Sequence, residues 1–119
     1  TPKTPANIEQ LFTPSETRPN YIFQTFLYAS IMCRQQTLKV APALLYIHRA
    51  ASDSYSPVIE MGEPRQPKIP VNNFTFFEDE FRKRLQTLLE EIFSENEPFT
   101  QTEDIKKCSY CDFKAICKR

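Results

Sequence analysis

Three cysteines near the C-terminus form the clearest chemical pattern in this chain. Cys108, Cys111 and Cys117 are spaced C-x2-C-x5-C within ten residues. Two thiols separated by two residues can converge on one metal in a tight turn, and a third thiol from the next turn can reach the same centre. Free or disulfide-linked thiols are the alternative, but disulfides are rare in the reducing cytosol, where we expect this protein. The pattern therefore favours a metal centre.

A metal centre of this kind needs a fourth ligand, and the sequence offers two weak candidates. Cys33 lies in an apolar run and could equally be an inert core thiol. His48 is the only histidine, and a lone histidine on a strand is more often simply hydrogen-bonded than metal-bound. We therefore expect the missing ligand to come from a segment upstream of Thr1.

A second candidate site lies in the most apolar stretch of the chain, NYIFQTFLYASIMCRQQ, for which we predict a helix over residues 20–36. Gln24 and Tyr28 are four residues apart, so one lies above the other on the same helix face. A helix that is apolar all round is a buried one, and a polar pair on it suggests a site. The alternative is that Gln24 bonds to a neighbouring backbone and Tyr28 fills the core with its hydroxyl satisfied.

The remaining elements follow from periodicity and turn residues. Residues 1–19 are predicted to be an irregular lead-in with one short helical turn at 8–12, because prolines interrupt it. Residues 43–61 alternate like a β-hairpin, with strands at 43–49 and 55–61 and a brief further pairing at 68–72. Residues 75–94 show one apolar stripe and a Thr75/Glu78 capping box, which predicts an amphipathic helix. A polar loop then leads to the cysteine segment, residues 106–119.

Composition supports one folded domain, with 40% apolar and 13% aromatic residues in 119. The formal net charge is zero, so overall charge indicates neither nucleic acid nor membrane, although the last residues are locally basic. No apolar run reaches the roughly 18 residues of a membrane span, and we expect a soluble, cytoplasmic protein without membrane partners. The expected fold class is α+β.

Two motifs in one order indicate a family. Gln24-Thr25-Phe26-Leu27-Tyr28 gives a Q-x3-Y helix, and the C-x2-C-x5-C segment closes the chain after an acidic amphipathic helix. This order resembles the C-terminal half of the RecB-type PD-(D/E)XK nucleases, particularly the iron-sulfur branch that includes the AddB exonuclease subunit and CRISPR-associated nucleases of RecB type. Phrases such as FQTFLYA and CSYCDFKAIC are similar to that branch over nearly all of residues 19–119.

The resemblance implies a Mg²⁺-dependent DNA exonuclease of recombination and repair, with DNA as substrate and a helicase subunit or domain as partner. By the same resemblance, Gln24 and Tyr28 lie beside the catalytic centre and help to position the DNA strand. Cys108, Cys111 and Cys117 would join one early cysteine to hold a [4Fe-4S] cluster that fastens the ends of the domain together.

The family's catalytic Asp and D/E-x-K strand precede the Q-x3-Y helix, and residues 1–19 cannot supply them. Two D-x-K strings, at 104–106 and 112–114, fall in the terminal loop and cysteine turn, and we interpret them as chance. We therefore expect a C-terminal fragment of a restriction-endonuclease-like α/β fold that is inactive alone, exposes apolar surface on the 20–36 helix and can form a homodimer. The alternative is a non-enzymatic module in which the cysteines hold Zn²⁺ and the chain binds nucleic acid or a protein.

Overall fold

The computed structural model describes residues 4–35, 37 and 39–119. The described part combines helices with a two-stranded antiparallel sheet, which confirms the expected mixture of helix and strand. Glu60 pairs with Pro70, and Met61 pairs with Ile69. In chain order, the elements are α1 (Glu9–Phe12), α2 (Asn20–Gln35), a 3₁₀ helix (Ile47–Arg49), β1 (Glu60–Met61), β2 (Ile69–Pro70), α3 (Thr75–Phe93) and α4 (Ile105–Ser109).

A group of phenylalanine rings lies in the hydrophobic core between α1, α2 and α3. Phe81 of α3 is fully buried at its centre. Its ring centroid lies 5.2 Å from that of Phe12, 5.7 Å from Phe23, 5.8 Å from Phe74 and 6.2 Å from Phe26. The ring planes are tilted or nearly perpendicular, which is the arrangement that the aromatic quadrupole favours. These contacts hold the three helices together.

Helix α2 is buried on one face only, so the prediction of a helix buried on all sides is wrong. Because α1 and α3 pack against one side, the opposite side faces solvent: Tyr21 is 69% exposed and Tyr28 is 57% exposed. Exposed Ile31 and Met32 provide the apolar surface that we expected on this helix. Gln36, the last residue of the predicted helix, lies outside the described residues. The buried positions are Ile22, Phe26, Ala29 and Ser30.

The predicted hairpin over residues 43–61 does not form as expected. A single bridge joins Ala43 to Val58, and the chain then enters the 3₁₀ helix instead of continuing as a strand. The Tyr55 hydroxyl accepts a hydrogen bond from the Tyr46 amide and donates one to the Leu44 carbonyl, both at 2.7 Å. These backbone groups are therefore satisfied by a side chain and need no partner strand. The two-stranded sheet instead joins β1, at the end of the second predicted strand, to β2, which lies within the brief pairing predicted at 68–72.

Helix α3 lies within one residue of its predicted bounds, 75–94. The predicted capping box is wrong, because Thr75 is already inside the helix and its amide donates to Asn73 Oδ1. Glu78 instead accepts a hydrogen bond at 3.3 Å from the Ser30 hydroxyl of α2. Since α1 and α2 cover only the first half of α3, the apolar stripe ends in exposed side chains, among them Phe93. In the described residues, no helix is long and apolar enough to cross a membrane.

Candidate functional site

Gln24 and Tyr28 form a hydrogen-bonded pair on the solvent face of α2. Gln24 Nε2 donates to Tyr28 Oη at 3.1 Å, and both side chains are exposed. The helical spacing therefore brings the two predicted residues together. The pair keeps the amide oxygen as an acceptor, a second amide hydrogen as a donor and the phenolic hydroxyl as a donor. It can bond a phosphate oxygen or a water molecule without adding charge.

The helix that carries this pair is firmly anchored on its other face. Ile22, Phe26 and Ala29 are buried in the core behind the pair. The partly buried hydrogen bond between Ser30 and Glu78 ties α2 to α3 one half-turn beyond Tyr28. A side-chain pair on a helix packed in this way is held more rigidly than a pair on a loop.

The three late cysteines lie in α4 and the turns that follow it. Cys108 is half-buried in α4, whereas Cys111 and Cys117 are exposed, and all are free thiols. The Cys111 amide donates to the Cys108 carbonyl at 3.1 Å, so the C-x2-C stretch makes the expected tight turn. The donor set is right in kind for zinc or an iron-sulfur cluster. Within the part of the chain that the structure describes, however, no three cysteine, histidine or carboxylate side chains converge on one point.

Neither candidate for the fourth ligand joins these thiols in the described residues. Cys33 is half-buried in α2 and packs against the hydrophobic core, as an inert core thiol would. His48 lies on the 3₁₀ helix instead of a strand, with its ring centroid 6.2 Å from that of Tyr46. The metal-binding role of Cys108, Cys111 and Cys117 thus stays a prediction.

The cysteine segment is tied both to the preceding loop and to the N-terminal lead-in. Arg119 donates to the Gln101 side chain at 3.1 Å, and Gln101 in turn donates to the Cys117 carbonyl at 3.0 Å. Lys106 Nζ lies 2.8 Å from a carboxylate oxygen of Glu16, which is ninety residues away in sequence. Exposed ion pairs contribute little stability, but this one shows where the segment lies. The cysteine segment therefore lies beside the end of the lead-in, just before α2.

The two D-x-K strings do not form a Mg²⁺ site in this structure. Asp104 is the N-cap of α4, a role that the sequence analysis missed, and it accepts hydrogen bonds from the Lys107 amide and side chain. Desolvation opposes ionisation of Asp104, but the hydrogen bonds and charge of Lys107 outweigh it and lower the pKa of the carboxyl below its ordinary value. Asp112 is exposed in the cysteine turn. Neither Asp lies on a strand, and we derive no metal-dependent step from these residues.

Comparison with known proteins identifies a family. The model of the PD-(D/E)XK nuclease superfamily matches residues 3–118, a range that includes both the Gln24–Tyr28 pair and the cysteine segment. No curated protein and no solved structure matches the chain significantly.

Proposed function

This chain belongs to the PD-(D/E)XK nuclease superfamily, and we propose that it is the C-terminal part of a metal-dependent DNA exonuclease. Membership indicates a nuclease-type function and binding of nucleic acid. The finer proposal is that the protein belongs to the iron-sulfur, AddB-like branch and acts in DNA recombination and repair, with a helicase subunit or domain as its partner. The motif order described above supports this branch.

The exposed, hydrogen-bonded pair of Gln24 and Tyr28 is the observation that carries the proposal. A strand-positioning site must reach the phosphodiester backbone, and both side chains face solvent on a rigid helix. Tyr21 lies seven residues before Tyr28, on the same face of α2, and is also exposed. Its aromatic ring is therefore available for a base to stack on. The surface thus offers neutral hydrogen bonds to phosphates and a platform for a base.

The proposal divides the nuclease into two parts. Phosphodiester hydrolysis with Mg²⁺ requires carboxylates that hold the metal and a base that activates water. The D-x-K strings of this chain do not lie on strands, so we propose that these groups come from a segment outside the 119 residues. That segment would also cover Ile31 and Met32 on α2. Without it, these residues provide a surface through which two isolated chains could form a homodimer.

The cysteine segment would join the two ends of the nuclease domain through a metal cluster. We propose that Cys108, Cys111 and Cys117 hold a [4Fe-4S] cluster together with one cysteine from the upstream segment. The contact between Lys106 and Glu16 supports this, because it places the cysteine segment beside the lead-in through which an upstream segment would connect. A cluster that closes so long a loop removes much of the conformational entropy of the unfolded chain.

Metal analysis tests whether the cysteines hold an iron-sulfur cluster. Protein expressed from the native reading frame should contain iron and acid-labile sulfide, and Cys111→Ser should lose both because one thiolate ligand is removed. Cys33→Ser is the matched control and should retain them, since Cys33 packs against the core. Stoichiometric zinc without sulfide would contradict the cluster and favour the non-enzymatic interaction module.

DNA binding by the 119-residue chain tests the positioning surface. Gln24→Ala should weaken binding of a fluorescent single-stranded oligonucleotide roughly threefold to tenfold, the value of one or two hydrogen bonds. Gln35→Ala, at the far end of the same helix, should leave the dissociation constant unchanged. Equal effects of the two substitutions in fluorescence anisotropy would show that the pair has no special role.

A further inference from the structure

A cavity of about 500 Å³ lies between the segment that follows the 3₁₀ helix and the start of α2. Ile22 and Leu44 provide part of its apolar wall. Its volume lies in the range of small-molecule sites. None of the motifs considered above includes its polar residues. It is therefore independent of the Gln24–Tyr28 surface.

The polar side of this cavity combines one cation with several hydroxyl groups. Arg49 lines it together with the side chains of Ser52, Ser54 and Ser56. The Ser52 and Ser54 hydroxyls lie 3.0 Å apart and share one hydrogen bond, so one hydroxyl hydrogen of the pair stays available as a donor. Arginine with hydroxyl donors is a donor set that suits a phosphate group.

The guanidinium group of Arg49 has no hydrogen-bond or ion-pair partner among residues 4–35, 37 and 39–119. Arg49 is half-buried, yet among the described residues no carboxylate pairs with it and no carbonyl accepts a hydrogen bond from its side chain. Glu60 is the other charged residue of the described lining, and it does not pair with Arg49. Removing a charge from water is unfavourable unless an opposite charge or a hydrogen-bond acceptor compensates for it. An anionic ligand in the cavity would supply that compensation.

The wall that carries these groups is held in place without a ligand. Tyr55 is bonded through its hydroxyl to both Tyr46 and Leu44. The Leu44 amide donates to the Pro57 carbonyl at 2.8 Å, and the Ser52 amide donates to the Arg49 carbonyl at 3.0 Å. The loop is thus closed on itself at several points, which reduces the conformational entropy that a ligand would have to offset.

We propose that this cavity binds the phosphate group of a nucleotide, with Arg49 as its counter-ion and the serine hydroxyls as donors. The Tyr46 ring at the cavity wall supplies an apolar surface for the nucleoside. This inference rests on the proposed function, because a nuclease meets nucleotide phosphate both in its DNA strand and in a released mononucleotide. The shared chemistry is the phosphate, and the experiment distinguishes the two sources.

Isothermal titration calorimetry of the full 119-residue chain tests the proposal with thymidine monophosphate, thymidine and a short oligothymidylate without terminal phosphates. Thymidine monophosphate or the oligonucleotide should bind, and thymidine should not. Because the oligonucleotide can also bind at Gln24 and Tyr28, only oligonucleotide binding that Arg49→Gln weakens, without binding of the mononucleotide, assigns the cavity to a strand phosphate. Binding of the mononucleotide alone assigns it to a free nucleotide. Binding of neither probe, or equal binding of thymidine and its monophosphate, would overturn the proposal.

Charge-neutralising variants link the binding to the cavity. Arg49→Gln should weaken phosphate binding roughly tenfold or more, as expected for a lost charge-assisted contact. Lys83→Gln removes the same charge from the exposed face of α3 and should change binding less than about twofold. Glu60→Gln should strengthen phosphate binding, because it removes a carboxylate that repels the ligand. A misfolded variant would lose affinity, so an increase in affinity cannot result from misfolding.

The outcomes separate this inference from the proposed function. Equal effects of Arg49→Gln and Lys83→Gln would overturn the cavity site. If Gln24→Ala still weakened oligonucleotide binding in that case, the positioning surface would stand alone. If Arg49→Gln weakened binding and Gln24→Ala did not, the phosphate site in the cavity would be supported and the positioning role of Gln24 would be contradicted.

Discussion

Phe81→Ala should lower the free energy of unfolding of this chain by about 3–5 kcal/mol, the cost of emptying a buried aromatic site. Phe81 is completely buried and its ring contacts rings from α1, α2 and the residue before α3. One substitution therefore removes ring contacts that α3 makes with both α1 and α2. Because small domains are stable by only about 5–15 kcal/mol, this loss would be a large fraction of the total free energy of unfolding.

Phe76→Ala is the matched control for this experiment. Phe76 lies on the same helix but is 84% exposed, so its removal should change the free energy of unfolding by no more than about 0.5 kcal/mol. Urea denaturation followed by circular dichroism measures both values. If Phe81→Ala were as mild as Phe76→Ala, the phenylalanine core described here would be contradicted.

The long helices could be predicted because their spacing is local information. A continuous apolar run identifies α2, and apolar residues three and four apart identify α3, each to within one residue of its observed bounds. The all-round burial of α2 could not be predicted correctly, since it depends on how many elements pack against the helix. The prediction of a strand at residues 43–49 was wrong for a similar reason. The Tyr55 hydroxyl satisfies two backbone groups there, and no alternation in the sequence indicates that contact.

The candidate sites also differ in whether they depend on local spacing or on tertiary structure. The contact between Gln24 and Tyr28 follows from helical spacing alone and was predicted. Arg49 was missed, because its place in a cavity depends on the 3₁₀ helix and on the serine-rich loop closing against α2. The gathering of three thiols around one metal depends on a fourth ligand that was not identified within the chain. Such a site cannot be derived from the C-x2-C-x5-C spacing by itself.

The proposed division of the nuclease between this chain and an upstream segment predicts the largest functional effect, which is the absence of cleavage by the 119-residue chain alone. The chain carries the proposed DNA-positioning residues, Gln24 and Tyr28. Its D-x-K strings, however, lie at the start of α4 and in an exposed turn. Protein from the native reading frame should degrade linear DNA with Mg²⁺. Gln24→Ala in that protein should slow cleavage roughly 100-fold, the scale of a misplaced substrate.

A nuclease assay of the pure 119-residue chain with linear DNA and Mg²⁺ or Mn²⁺ is the decisive experiment, with the native-frame protein as the positive control. We expect no cleavage by the chain alone, cleavage by the native-frame protein, and slower cleavage after Gln24→Ala in the native-frame protein. Robust metal-dependent cleavage by the chain alone, abolished by Gln24→Ala, would contradict the proposed division of the nuclease, because the catalytic groups would then lie within these 119 residues.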